Sequence, residues 1–367
     1  MEKELFVTRS SMPTFEEYTE AIKPLFESHW LTNVGIYHQE LEKKLADYLS
    51  VPQLSLMVNG HMALELGIQS FGFPEGGEVI TTPFTFISTT HAIVRNRLQP
   101  VFCDVKSKDG TIDESRIEDL VTERTVAILP VHVYGNVCNV EEIQRIADKF
   151  GLKVIYDAAH AFGVKHKGEG IGNLGDASIF SFHATKIYNT IEGGAVVCKN
   201  SERYEKLYNL KNFGIRSEEL VSDVGANAKM NEFAAIMGLC NLKRMDKAIA
   251  GRKRAYEQYM KGLAGVKGLR FFERPDCDSR NYAYFPVLIE DGFWTDRDGL
   301  YDALKLEGIH ARKYFYPLTA DEACFKNRYK EVPLEVARRL SKQVLCLPFY
   351  EEIDEESVAR VLKFICR

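Results

Sequence analysis

KVIYDAA (residues 153–159) and ASIFSFH (residues 177–183) decide the fold class. Both are short, rich in β-branched and aromatic residues, and apolar on both faces, as strands covered by helices on each side must be. Outward from them lie runs of the same kind: LSLMV (54–58), VITTPF (79–84), PVFCDV (100–105) and VAILPVH (126–132) before, and GGAVVCK (193–199) after. Helical patterns separate many of them: HMALELGIQSF (61–71), ESRIEDLV (114–121) and VEEIQRIADKF (140–150). Strand–helix alternation predicts an α/β layer built on a mainly parallel sheet. The last two runs lie too close for a helical crossover, so the seven-stranded sheet is expected to be mixed.

Helical character continues from about Ser201 through Gly262, with a break expected near Met245 to Arg252. Beyond it RFFERP (270–275), YAYFPVLIE (282–290) and GIHARKYFYPL (308–318) read as strands, and EESVARVLKFICR (355–367) as a closing helix. The expected organisation is a large α/β domain over residues 1–245, including the N-terminal segment, and a smaller α+β domain over residues 246–367. Neither internal repeats nor low-complexity segments interrupt it.

Composition narrows the function classes. Apolar residues make up 45% and charged residues 27%, the balance of an ordinary globular chain. The net charge is −5 and no basic stripe appears, so nucleic-acid binding lacks its electrostatic footprint. Eight cysteines are scattered singly without a CxxC pair, which argues against zinc ribbons and redox motifs. Several sit in apolar runs, as free thiols do in a reducing compartment. No apolar signal core or membrane-length run is present, so a cytoplasmic location is expected. The histidines show no HExxH or other metal spacing, and no metal site is expected.

Open parallel sheets bind ligands at the carboxyl ends of their strands. Asp157 ends KVIYD, and Lys186 follows the next strand with Ser181 and His183 just before it. A buried acid needs a partner or gives up its charge. Pyridoxal phosphate needs this pairing: an amine to hold its aldehyde and an acid to keep its ring nitrogen protonated. A buried salt bridge with no cofactor satisfies the same spacing. Asn59-Gly60-His61-Met62 stands where a strand turns into a helix, whose N-terminus offers free N–H groups to a phosphate. Taken alone, an Asn-Gly capping turn is the simpler account of those residues. Gly170 to Gly175 matches GxGxxG, but it leads into a strand instead of opening a helix, so it reads as a glycine-rich turn.

Taken together, WLTNVGIYHQELEKKLADYL (30–49), TPFTFIST (82–89), YDAAHAFG (156–163), SFHATK (181–186), VGANAKMNEFAAIMGL (224–239) and ARKYFYPL (311–318) resemble the DegT/StrS-type sugar aminotransferases. That family has the aspartate-aminotransferase fold, fold type I. The resemblance implies Lys186 as the Schiff-base lysine and Asp157 as partner of the cofactor's ring nitrogen. It implies pyridoxal 5'-phosphate as cofactor, with pyridoxamine 5'-phosphate as its intermediate form. Gly60 and His61 would offer backbone amides to the phosphate, where many relatives carry Gly-Thr, and Ser181 its hydroxyl. Phe86 would stack on the ring, unless it is a core phenylalanine, and His160 would lie beneath it. Asn227 would reach the neighbouring subunit's cofactor, implying a homodimer with shared active sites. Lys229, where relatives often carry Arg, receives no role.

Dehydratases of the same fold replace the lysine with histidine, so Lys186 favours amino transfer. HVYGNVCNVEEI (132–143) and FHATKIYNTIEGG (182–194) look like the branch making dTDP-4-amino-4,6-dideoxyglucose, with L-glutamate as donor and dTDP-4-keto-6-deoxyglucose as acceptor. A 3-aminotransferase, a dehydratase or a non-catalytic regulatory relative are the alternatives. Trp30, His183, Lys313, Tyr314 and Tyr316 are candidate substrate contacts, although aromatic clusters serve packing at least as often.

Overall fold

The computed structural model describes residues 4–275 and 277–366. Seven strands form the large sheet: β1 (Leu54–Met57), β2 (Glu78–Thr81), β3 (Gln99–Phe102), β4 (Thr125–Leu129), β5 (Lys153–Asp157), β6 (Ala177–Ser181) and β7 (Gly194–Cys198). Their order across the sheet is β1-β7-β6-β5-β4-β2-β3. All neighbours from β6 to β3 are parallel. β7 alone runs against both of its neighbours. The mixed sheet expected from the short β6–β7 connection is what forms.

Side-chain alternation explains why these runs must be covered twice. Val154, Tyr156 and Phe180 enter one core with Leu41, Ile143 and Leu239. Ile155, Ile179 and Val196 enter a second core on the opposite face with Leu64, Ala92 and Leu207. Neighbouring residues in a strand point to opposite faces, so both need a helical layer. The helices Ile36–Leu49, Val140–Phe150 and Glu232–Leu242 supply the first, and Gly60–Gln69, Ile87–Arg95 and Ser201–Leu210 the second.

Several expectations are corrected. ESRIEDLV forms two single 3-10 turns, Glu114–Arg116 and Glu118–Leu120, because eight residues give too few backbone bonds to sustain a helix there. The helical stretch after Ser201 is interrupted by a hairpin, Ile215–Ser217 with Leu220–Val221. Gly214 introduces it at φ +75°, and a side chain there would strike the Asp223 carbonyl. Met245–Gly262 is one unbroken helix, and the turn before it lies at Lys243–Arg244.

In the C-terminal part, Leu269–Phe271, Pro286–Ile289 and Val344–Cys346 form a three-stranded antiparallel sheet. Most of GIHARKYFYPL is loop, since only Ile309–His310 is a strand. That strand pairs with Leu5–Phe6, which brings the start of the chain onto the C-terminal core. The helices Arg297–Leu306 and Glu335–Gln343 were not anticipated, whereas Glu355–Ile365 falls where the closing helix is expected. Arg367, the end of that predicted helix, lies outside the described residues. Among the described residues no helix is long and apolar enough to cross a membrane.

A buried polar cluster anchors the edge strand β1. Lys211, wholly buried, donates to Glu42 at 3.1 Å and to the Leu56 carbonyl at 3.2 Å. Glu42 in turn accepts from the Leu56 N–H at 2.9 Å. Burial alone would raise the Glu42 carboxyl, but Lys211, His38 and the Leu56 N–H outweigh it and hold it down at about 2. A carboxyl depressed on folding adds stability above its unfolded pKa, and that stability is lost as pH falls towards its folded one. Glu42→Gln should therefore cost about 3 kcal/mol at neutral pH, because it strands the Lys211 charge. In urea titrations the wild type should lose part of its advantage between about pH 5 and pH 2, and the variant should lack that step. Equal stability of the two proteins at pH 7 would refute the role given to this cluster.

Candidate active site

The C-terminal ends of β1, β5 and β6 open into a cavity of about 410 Å³. Backbone pairing fixes Asp157 at its floor. Its N–H donates to Pro130, its carbonyl accepts from His132, and the following Ala158 N–H donates to Ile179. One carboxyl oxygen accepts from the Thr89 hydroxyl at 2.8 Å and the other from the Ala159 N–H at 3.1 Å. Burial pushes this carboxyl above the usual range, while those two bonds and the Lys186 charge pull it back.

Lys186 lies in the turn after β6, with its N–H bonded to the His183 carbonyl at 2.8 Å. Its Nζ is 3.4 Å from the Tyr284 hydroxyl. Burial lowers this amine to about 8, against the raising effects of Asp157 and Tyr314. Among the described residues no ion pair joins Lys186 to Asp157, so the salt bridge that the spacing also allowed is not made. Both groups line the same cavity with space between them. An amine brought close to neutrality and a carboxyl set apart from it suit the two ends of one heterocycle.

His160 occupies the cavity wall beside them. Its Nδ1 accepts from the Tyr134 N–H at 3.0 Å, which leaves a proton on Nε2 in the neutral ring. Burial and the Lys186 charge hold it well below its ordinary pKa, so the ring is uncharged. Phe86 is no core residue: it is 58% exposed, precedes the helix Ile87–Arg95 and lines the cavity.

The anion corner is built by close approach. Asn59 caps the helix Gly60–Gln69 by accepting from the Met62 N–H at 2.8 Å. A Cβ on Gly60 would lie 2.7 Å from the Ser181 hydroxyl, so glycine is required where helix and strand end meet. The capping turn and the anion site are thus one structure. The His61 ring is tied to the Ser88 hydroxyl at 2.8 Å and faces Glu65 at 3.5 Å. A helix N-terminus, a hydroxyl and a glycine that keeps the space open fit a phosphate.

The remaining candidates divide. His183 and Tyr314 line the main cavity, while Lys313 and Tyr316 line a second cavity beside it. Trp30 is exposed and packs beside Gly35, outside both. Asn227 is exposed and pairs through its backbone with Asn212, also outside. Gly170 to Gly175 forms a hairpin end and a 3-10 turn that leads into β6, as its context predicts. No group of residues able to hold a metal occurs among the described residues. Thr89, Tyr284 and Arg312 were not singled out from the sequence. Thr89 had a faint signal in the Thr85–Thr89 spacing of one helical turn; Tyr284 and Arg312 are brought in only by tertiary folding.

This sheet and site define a pyridoxal-phosphate-dependent transferase of fold type I. The DegT/DnrJ/EryC1/StrS aminotransferase family matches residues 14–366, and the chain belongs to that family. It is 42% identical to dTDP-4-amino-4,6-dideoxy-D-glucose transaminase of Shigella dysenteriae, over 100% of this chain and 99% of that protein. It is 41% identical to the Escherichia coli protein of the same name, over 99% and 98% of the two chains. The solved structure of DesI with its TDP-sugar product superposes with a TM-score of 0.94 at 33% identity, covering 99% of this chain and 92% of that one. The protein is a sugar aminotransferase, acting on a nucleotide sugar and an amino donor.

The lowered amine is open to measurement. In the cofactor-free protein, amine labelling of Lys186 followed by mass spectrometry should rise with pH to half-maximum near 8. Below that pH the amine is protonated and unreactive; exposed lysines should require about two pH units more. Labelling of Lys186 in step with the exposed lysines would contradict the geometry.

Proposed function

We propose that the enzyme transfers the amino group of L-glutamate to dTDP-4-keto-6-deoxy-D-glucose, giving dTDP-4-amino-4,6-dideoxy-D-glucose. The observation that carries this reading is full-length similarity to two transaminases of that name, in a chain that keeps Lys186 and Asp157 facing one cavity.

Pyridoxal phosphate, when bound, supplies the aldehyde that takes up the amino group and a ring that withdraws electrons from the substrate carbon. Gly60, His61 and Ser181 would hold its phosphate, and Phe86 and His160, which line the same cavity, would flank its ring. Asp157 would pair with its ring nitrogen, and Thr89 and the Ala159 amide hold that carboxylate in place. Lys186 would hold the aldehyde end of the cofactor. Its Nζ is placed to take a proton from the donor carbon in one half-reaction and to give one to the sugar carbon in the other. An amine near pKa 8 serves both directions at neutral pH. The neutral His160 ring, Tyr284 and Phe315 line the cavity, and Tyr134 stacks against His160.

We assign Asn227 to the partner subunit's phosphate in a homodimer. Exposed Phe213, Leu220, Val221 and Val224, on the same segment as Asn227, support a covered surface there. We also propose the division into residues 1–245 and 246–367, and a cytoplasmic setting supported by the buried free thiols Cys103, Cys138, Cys198, Cys240 and Cys346.

Incubation with L-glutamate and a panel of dTDP-, UDP- and GDP-ketosugars, read by mass spectrometry and NMR, tests the reading. The dTDP-4-amino sugar should form fastest; a different sugar carbon or nucleotide would replace this assignment. Lys186→Ala should keep its fold but lose turnover by at least about a thousandfold. Asp157→Asn should lower turnover while phosphate affinity is retained, and unchanged kinetics would remove its role.

A further inference from the structure

The active-site cavity and a second cavity of about 260 Å³ share Thr85, Phe86, Arg312, Tyr314 and Phe315, which form the neck where the two meet. Arg312 lines both, together with Phe86 and Tyr314. Its backbone is clamped, the N–H donating to Cys346 at 3.0 Å and the carbonyl accepting from the Cys346 N–H at 2.8 Å. The guanidinium itself makes no ion pair and no side-chain hydrogen bond among the described residues. Its neighbours differ. Lys313 is paired with Asp298 at 2.5 Å, and Arg297 holds the same carboxylate at 2.7 Å. Glu322 adds a negative charge to the outer cavity. One uncommitted cation with five fixed donors therefore stands at the neck, with a carboxylate beyond it.

Glutamate is short enough to react within the inner cavity alone. A nucleotide sugar is neutral at its keto end, doubly anionic in the middle and aromatic at its far end. With its keto carbon at Lys186 it must run out through the neck. Its diphosphate then meets Arg312, and its nucleoside enters the space bounded by Tyr301, Tyr316 and Glu322. Phosphates deeper in the outer cavity would face the Glu322 carboxylate instead.

We propose that Arg312 is a specificity-determining residue, clamping the diphosphate of the nucleotide sugar at this neck. This rests on the nucleotide-sugar reading above. A planar guanidinium suits a diphosphate through paired charge-assisted bonds, which a lysine's point charge cannot reproduce.

The test compares the two half-reactions of the cofactor-loaded enzyme by absorbance, in the wild type, Arg312→Gln and Arg312→Lys. Arg312→Gln should lose about tenfold or more in kcat/KM for the nucleotide ketosugar, and at least ten times more than it loses for L-glutamate. Inhibition by dTDP alone should weaken by a similar factor, and Arg312→Lys should recover only part of either loss. The side chain is exposed, so the fold is not at risk, and cofactor absorbance verifies loading. Equal losses for both substrates, a loss confined to glutamate, or unaltered dTDP inhibition would each overturn the proposal. A wild type that does not aminate any nucleotide ketosugar would instead refute the functional reading on which it rests.

Discussion

A buried carboxyl and a half-buried amine held apart, not together, are the constraint on which this structure depends. Left to themselves, the Lys186 amine and the Asp157 carboxyl would close into a salt bridge and recover part of their desolvation cost. Among the described residues no such ion pair forms. Asp157 stands opposite Ile179 in the parallel pairing of β5 with β6, with its peptide bonded on both sides, while Lys186 hangs in the turn beyond the strand end. Burial displaces both groups towards their neutral forms, the carboxyl raised and the amine lowered, and their mutual attraction only partly offsets it. The family's cofactor would relieve that tension by offering a protonated ring nitrogen to one and an aldehyde to the other.

The anion corner obeys a steric constraint of the same kind. Gly60 lies against Ser181, and a side chain on Gly194 would meet the Asn59 carbonyl at 2.7 Å. Three strand ends therefore converge closely enough for a helix N-terminus and a hydroxyl to act on one phosphate. Behind this corner, Lys211 and Glu42 grip both polar groups of Leu56, so the position of β1 is fixed from the rear. The cost of burying those charges is repaid in the precision of the turn at Asn59.

The C-terminal part supplies the wall and the exit. Arg252, fully buried, donates to the carbonyls of Tyr282, Ala283 and Phe349, and so holds the segment that delivers Tyr284 to Lys186. The Tyr134 hydroxyl donates to the Tyr314 carbonyl across the cavity rim, joining the two parts at the site. Arg312, two residues before Tyr314, has no such commitment, which is why its guanidinium is available at the neck.

The sequence by itself determined the seven strands, their mixed character and the placement of Asp157 at a strand end with Lys186 just beyond the next strand. Those features depend on local composition and on period-two burial, which a linear reading can follow. It misjudged ESRIEDLV and the stretch after Leu210, where a helical pattern is overridden by short segment length and by Gly214. It also passed over Tyr284, and over Arg312 although Lys313, Tyr314 and Tyr316 beside it were candidate contacts, because only tertiary packing brings these two side chains to the cavity. Whether Asp157 and Lys186 neutralise one another or face a common space was decided only by tertiary structure. Spacing along a chain fixes which groups arrive at one end of a sheet, but strand register and the packing of residues over a hundred positions away fix the gap between them.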